Sequence, residues 1–581
     1  MRSAGHNLSI ACVLAAFGAL SMLFAPPASA ADDILVTKNP VGHRGGMITL
    51  ALRSEPKTLN PALATDASSL GVIYCMGADL IHINRETQRT EPALAKSWSV
   101  SRDGRTYTLQ LRRGIKFSDG QPFSADDVIF SFQVYLDENT HSPQRDLLIV
   151  GGKPVSVEKL DDYTVRFGLA QPYAAAERLF DGFPVLPKHL LEAAYKSGRI
   201  SETWGITSSP AQFAGLGPFR LKEYVPGQRL VLERNPYYWE QDSARNQLPY
   251  LDGITFLFVP SEDAQVIRFL SGDTDILSRF SAENFAALER QEAAKGYHAY
   301  DLGPGLEYNF LFFNLNDLSS ANLAEIARKQ AWFRDLRFRE AVSAAIDRDA
   351  IVRLIFQGRA AALTSQAAPG NKLWLDASLP AIHHSPDRAR DLLKSAGFSW
   401  KSDGAMVDPQ GQPVEFSILT SSSNAQRTKM ATIIQDDLNK LGMNVHVVSL
   451  DFGATVDRLL NTFDYEAAIS GLADGDADPN AEMNVWLSTG GMHIWHLNEM
   501  HPATPWEAEL DHLMSEQLVT LNYAKRKQLY DRVQEIVAQQ LPVINLVSPD
   551  ILVAAKNRVG NFRAATLDPY VLWNVDWLYV H

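Results

Sequence analysis

Three carboxylates separated by single residues, Asp474, Asp476 and Asp478, follow the apolar run that begins at Ala467 and precede Pro479. A strand ending in such a loop presents charge at an edge, where a carboxylate can hold a cation or face a ligand. Calcium is one reading of Asp-x-Asp-x-Asp. The sixth position, however, is Pro479 rather than glycine and the twelfth is Val485 rather than glutamate. A solvated acidic loop is a second reading, and ligand contact by Asp474 or Asp476 a third. His493 and His496 are spaced three apart, which suits zinc ligation from one face of a helix. No third ligand is placed beside them, so no metal and no cofactor is expected. The rings of Tyr74, Trp374, Trp486 and Trp495 are candidates to line a tolerant pocket, with core packing as the competing role of each. Ser421, opening Ser-Ser-Ser-Asn424, follows a strand and can donate to ligand carbonyls or belong to a helix cap. Gly215 and Gly217 lack the Gly-Lys-Ser/Thr and the helix start of a phosphate cradle. No nucleophile elbow, His-Glu-x-x-His or Cys–His arrangement occurs, and the chain is not expected to be an enzyme.

These residues need a scaffold, and the sequence outlines one. Met47–Leu52 reads as a strand that exits into Ser54-Glu55-Pro56, a proline-bearing loop of the kind that carries function. Asp103-Gly104 is a hairpin turn, and Tyr107, Leu109 and Leu111 alternate with polar residues as a half-buried strand. Ser124 with Asp127 forms a capping box, and Val128, Ile129 and Phe132 give the following helix its apolar face. A strand over 251–259 leads to an amphipathic helix over 261–270 that Gly272 stops. The helix from Phe338 turns Ala341, Ala344, Ala345 and Ile346 inward. A strand over 414–420, a helix over 426–441 and a strand over 443–450 make a βαβ unit. Strands over 308–315 and 541–547 are expected to cross between two bodies, and 551–562 to return to the first. Two crossings make a hinge.

The ends and the composition narrow the class. Arg2 followed by an apolar run over 8–24 and Ala28-Ser29-Ala30 is the pattern of a signal peptide, with cleavage expected after Ala30. The full chain of 581 residues carries −13, and −14 once Arg2 leaves with the leader. That balance argues against nucleic acid as a partner. Of two cysteines, only Cys75 remains after cleavage, so no intrachain disulfide forms. The length calls for two or three domains.

The stretch 91–132 runs Glu91-Pro-Ala-Leu-Ala-Lys-Ser-Trp98 through Asp119-Gly-Gln-Pro-Phe-Ser-Ala-Asp-Asp-Val128. It resembles the signature of family 5 extracellular solute-binding proteins, the dipeptide- and oligopeptide-binding group of ABC importers. Gly215-Leu-Gly-Pro-Phe219 is similar to that family's second hallmark, with Leu216 at the usual threonine position. The helix Phe338-Arg-Glu-Ala-Val-Ser-Ala-Ala-Ile-Asp-Arg348 is similar to a third. The resemblance implies an α/β, two-lobed periplasmic-binding-protein (type II, Venus-flytrap) fold with an extra subdomain on the first lobe. It divides the chain into a leader (1–30), lobe I (31–304, with the extra subdomain at about 66–200), lobe II (305–544) and a C-terminal return to lobe I (545–581). It implies a periplasmic monomer that takes its cargo between the lobes and hands it to the permease subunits in the inner membrane. It also implies that the loop around Ser54 and Glu55 passes the ligand cleft, and that an aspartate near Asp478-Pro479 salt-bridges the ligand's α-amino group. Gly475 stands where that aspartate is usual, four before the proline, and Asp474 and Asp476 flank it. The Asn484-Val-Trp486 and His493-x-Trp495 elements resemble a branch of the family whose cargo is open. A short peptide or another amine-bearing solute is the expected cargo. A non-peptide solute such as an oligosaccharide or opine, a secreted hydrolase and a sensor input remain as alternatives.

Overall fold

One strand, Val543–Lys556, belongs to both halves of the molecule. Its first half is almost entirely apolar and buried, and it pairs with Glu307–Phe313, Asn309 opposite Val547 and Phe312 opposite Val543. Its second half pairs with Ile276–Ser278 and with Tyr297–Pro304. Pro549 and Asp550, less buried, mark the passage between the two. A strand buried on both faces reads as a continuous apolar run rather than an alternation, which is why its extent exceeds the crossing expected at 541–547. The computed structural model describes residues 33–473 and 475–581; the expected leader and Asp474 lie outside the described residues.

The sheet of the first lobe runs Phe219–Val225, Arg229–Arg234, Gly253–Phe258, Met47–Leu52 and Ile276–Ser278 before reaching the shared strand. That of the second continues through Glu307–Phe313, Ala467–Ala473, Glu415–Ser421 and Asn444–Leu450. The last two are parallel and flank the helix Ala425–Lys440, the expected βαβ unit. Separate hydrophobic cores lie beneath the two halves, one built on Ile48, Leu109, Phe132 and Ile254, the other on Phe313, Phe338, Phe416 and Val533. No helix among the described residues is long and apolar enough to cross a membrane.

The extra subdomain is a four-stranded antiparallel sheet covered by the helix Ala125–Leu136. In the strand Thr106–Leu111, Tyr107, Leu109 and Leu111 are buried, as their alternation requires. The capping box closes on both sides, with the Ser124 N–H donating to Asp127 at 2.9 Å. Phe132 on the helix meets Phe167 on the sheet edge to face, ring centres 4.8 Å apart. Gly215 and Gly217 serve a close approach. A Cβ on Gly215 would lie 2.0 Å from the Met76 carbonyl oxygen, and one on Gly217 2.5 Å from that of Gly77. The pair lets this segment lie directly on the end of the helix Ala67–Met76. Cys75 in that helix is fully buried, and burial pushes its thiol far above the ordinary range.

Near the crossing, Asp550 shares a hydrogen bond with Asp301 on the neighbouring strand, and Arg359 stands 3.7 Å from Asp301. Burial, and then the charge of Asp301, push the Asp550 carboxyl up to about 7. An unfolded aspartate ionises near pH ~4. The folded chain therefore holds a proton that the unfolded chain has released, and stability falls as pH rises between about 4 and 7. Asp550→Asn keeps the shape without the titration. We expect the melting temperature of the unaltered protein to drop across this window and that of Asp550→Asn to drop less. Parallel curves would show that the pair does not couple to folding.

Candidate functional site

A cavity of about 1230 Å³ opens beside the end of the helix Ala67–Met76. That exceeds the roughly 300–1000 Å³ of a drug-sized site. Its walls come chiefly from five stretches far apart in sequence: the N-terminal segment 35–39, the segment from Tyr74 through the hairpin to Ala93, residues 173–184, residues 238–240 and the C-terminal stretch 568–577. All of these belong to the first lobe or return to it. The second lobe supplies residues 475, 476, 478, 480 and 481.

Several carboxyl groups line the interior. Asp181 is paired with Arg85 at 2.8 Å and stands 3.5 Å from His82. Burial pushes the Asp181 carboxyl up, but Arg85 and then His82 outweigh burial and hold it below the usual carboxylate range. Asp79 goes the other way. Burial, and then the charge of Asp181, raise it well above that range. Burial likewise raises Glu240 and Asp576, and Glu240 adds to the rise at Asp576. Such groups either donate a hydrogen bond as neutral acids or ionise when a cation arrives. The donor atoms of Asp79, His82 and Asp181 converge within 4.8 Å. Both Asp181 oxygens accept hydrogen bonds, one from Arg85 and one from the Ile83 N–H at 2.9 Å, so a guanidinium already neutralises this carboxylate.

The second lobe meets this cavity through an ion pair. Arg178, in the short helix Ala176–Phe180, donates from Nε and Nη2 to the two carboxylate oxygens of Asp476. Burial alone would lower the Arg178 pKa; the hydrogen bonds and charge of Asp476 outweigh it and raise it. Nη1 donates to the carbonyl of Gln88 at 2.9 Å. Gln88 is fully buried and adopts a left-handed φ of 62° at the hairpin tip. Its amide bridges the lobes in both senses, donating to Gly370 O at 2.7 Å and accepting from Lys372 N at 2.9 Å. A buried side chain that reaches across a cleft from a left-handed backbone position marks a constrained residue. Asn480 contacts the Tyr173 hydroxyl, and Ala174 N donates to Leu518 O at 2.7 Å. The lobes are thus closed on each other beside the cavity.

The structure brings only part of the expected constellation together. Asp476 and Tyr74 line the cavity, the Tyr74 hydroxyl donating to Trp573 O at 3.0 Å. Asp478 also reaches it but is held in a bidentate pair with Arg526, both bonds 2.6 Å. With Asp476 and Asp478 each bound to an arginine, the calcium reading has no support. Ser54 and Glu55 lie outside the cavity lining: Ser54 is hydrogen-bonded to Ser68 at 2.9 Å, and Glu55 accepts from Gly227 N at 3.1 Å. Ser421 pairs with Ser423, and Asn424 caps the next helix through Arg427 N. Asn484 accepts from Gly491 N at 2.8 Å. Trp486 and Trp495 pack on each other in the second core, ring centres 5.5 Å apart. Trp374 lies under Arg526 in that core. The local pattern of a ring that fills a core does not differ from that of a ring that lines a cleft, and these three fill the core. Arg178, Asp79, Asp181, Glu240 and Asp576 had no local signal, because each stands alone in its own segment.

A family model, bacterial extracellular solute-binding proteins, family 5 middle, matches residues 89–493. A probable ABC transporter-binding protein of Deinococcus radiodurans is 29% identical over 569 residues, covering 94% of this chain and 93% of its own length. The oligopeptide-binding protein AppA of Bacillus subtilis is 24% identical over 526 residues, covering 90% of this chain and 89% of its own. Among solved structures, NikA from Brucella suis in complex with Fe(III)-EDTA superposes with a TM-score of 0.76 at 22% identity, over 92% of this chain and 100% of that one. The two share a fold.

Proposed function

This chain belongs to family 5 of the bacterial extracellular solute-binding proteins, and from that premise we propose that it captures a short peptide, or another amine-bearing solute, for an ABC importer. It acts in the periplasm after loss of its leader, releases its cargo unchanged and delivers it to the permease. The observation that carries the cargo assignment is the ion pair at the mouth of the cavity. Asp476 from the second lobe and Arg178 from the first form a matched anion and cation beside a space of about 1230 Å³. A zwitterion offers the complement of both. Its ammonium takes Asp476 and its carboxylate takes Arg178, so the resident pair opens and each charge is paired again. Charge-assisted bonds of this kind are strong where water is excluded. Asp79, Glu240 and Asp576, whose burial favours the protonated form, add hydrogen-bonding groups along the wall. The names of the relatives, which include oligopeptide- and dipeptide-binding proteins, support the same class.

The test is native mass spectrometry of the purified protein, followed by denaturation and identification of what is released. A mixture of short peptides is expected. A single compound without an amine would overturn the cargo assignment and leave the carrier role. Cleavage of a peptide panel by the purified protein would overturn the carrier role itself.

A further inference from the structure

Away from the cavity, in the second lobe, His493, Glu499 and Glu507 bring their donor atoms within 4.8 Å of one another. His493 is fully buried, Glu507 is 2% exposed and Glu499 8%. His496, 3% exposed, touches Glu499 through Nδ1. Contrary to what the spacing suggests, the two histidines are not on a helix. They lie in successive turns, linked by His496 N donating to His493 O at 3.0 Å. Glu507 comes from the first turn of the helix Pro505–Val519, where Thr504 caps the helix and donates to Glu507 Oε2 at 2.8 Å. Glu499 is fixed by the Ala503 N–H at 3.2 Å.

The orientation of His493 is informative. Its Nδ1 lies 3.0 Å from the Val485 carbonyl oxygen. A carbonyl only accepts, so Nδ1 carries the hydrogen and Nε2 presents its lone pair in the neutral ring. That Nε2 has no hydrogen-bond partner, and it faces Glu507 Oε1 at 3.8 Å. Two lone pairs facing each other in a dry core repel unless a cation lies between them. A proton would draw the pair to hydrogen-bond length, well inside 3.8 Å. A divalent ion holds its donors further apart than a proton does: zinc bonds of roughly 2.0–2.2 Å at tetrahedral angles set two donors roughly 3.3–3.6 Å apart, nearer to the 3.8 Å seen here. A histidine that donates its ring N–H to a backbone carbonyl, and a glutamate held by a threonine hydroxyl, is the outer-shell pattern of metal ligands. Two carboxylates and two neutral imidazoles also balance a charge of +2, whereas two buried carboxylates alone are costly.

We infer that His493, Glu499 and Glu507, with His496 beside them, form a structural site for a divalent transition ion, best suited to zinc, that ties the turns around residues 493–499 to the helix Pro505–Val519. The site stiffens the second lobe and takes no part in holding cargo, since none of the four residues lines the cavity. The protein, stripped with EDTA and titrated with zinc(II) against a chromophoric chelator, takes up one ion per chain and unfolds several degrees higher. His493→Gln and Glu507→Gln each weaken uptake by about 100-fold, while circular dichroism and the cargo released in native mass spectrometry stay as in the unaltered protein. Should either variant misfold, elemental analysis of the unaltered protein as purified still decides the matter through its zinc content. A protein that holds no zinc, and whose unfolding temperature zinc does not change, would assign the cluster to a protonated histidine–carboxylate network and overturn the inference. So would one zinc per chain that persists in both variants.

Discussion

Asp476→Ala weakens cargo binding by about 30- to 150-fold. Truncating one partner of a buried, hydrogen-bonded charge pair costs about 2–5 kcal/mol. The Asp476 side chain is 26% exposed and that of Arg178 11%, so solvent screens part of the interaction and the lower half of the range applies. About 2–3 kcal/mol converts to the fold-change stated. The loss is that of the anion facing the ligand's ammonium, since cargo opens the resident pair when it binds. Arg178→Gln removes the cation that takes the ligand's carboxylate but keeps the anion, so it weakens binding of a zwitterionic peptide more than that of its C-terminally amidated form, whereas Asp476→Ala discriminates between peptides with and without a free amine. The double variant loses less than the sum of the singles, because the second truncation removes a charge that the first had already left unpaired. Calorimetry with the identified cargo gives all four affinities. Equal affinity for Asp476→Ala and the unaltered protein would overturn the role of Asp476 in binding.

Arg526→Met is expected to destabilise the fold by about 3–5 kcal/mol, the loss seen when one partner of a buried ion pair is removed. Arg526 is 4% exposed and Asp478 5%. Nη1 and Nη2 donate to the two oxygens of Asp478 at 2.6 Å each, and Nε donates to Gln517 O at 3.0 Å and to Gln517 Oε1 at 2.8 Å. The guanidinium also lies over the Trp374 ring, 4.8 Å from its centre. Methionine fills much of the volume but leaves the Asp478 carboxylate buried without a cation. At about 2–4 °C per kcal/mol for a large domain, the melting temperature drops by about 10 °C. Arg526→Met with Asp478→Leu recovers part of the loss, since burying neither charge is cheaper than burying one. Asp478 also accepts from the Asn480 N–H at 3.0 Å, so a carboxylate left without its cation loosens the loop that carries Asp476. A melting temperature within a degree or two of the unaltered protein would show that water reaches the pair.

What the sequence revealed, and what it did not, divides along the range of the interactions. The alternation of Tyr107, Leu109 and Leu111, the capping box of Ser124 and Asp127, and the βαβ unit after residue 414 depend on neighbours within a few positions, and each folds as expected. Asp476 was visible because it ends a strand in an acidic loop, but the arginine that neutralises it, Arg178, lies in a different lobe and carries no motif. The acids of the cavity illustrate the same limit. Asp79, Asp181, Glu240 and Asp576 sit in four separate segments, and only the tertiary fold makes them one surface. Trp486 and Trp495 show the converse. Their spacing is the same whether they face a ligand or each other, and burial decides between these. His493 and His496 were conspicuous, yet their chemistry depends on Glu507, which a helix cap delivers from the next element.

The unequal share of the two lobes in the cavity has a kinetic consequence. Among the described residues, the second lobe contributes residues 475, 476, 478, 480 and 481 to the wall, while the first lobe and the C-terminal return supply the rest. Arrival and departure are therefore governed by different parts of the chain. Cargo meets an almost complete surface while the lobes are apart, so its association rate depends on the first lobe and hardly on the second. Its residence time depends on how long one short loop stays in place. On the carrier role proposed above, a partner that drew this loop back would empty the site without disturbing the walls that meet the cargo.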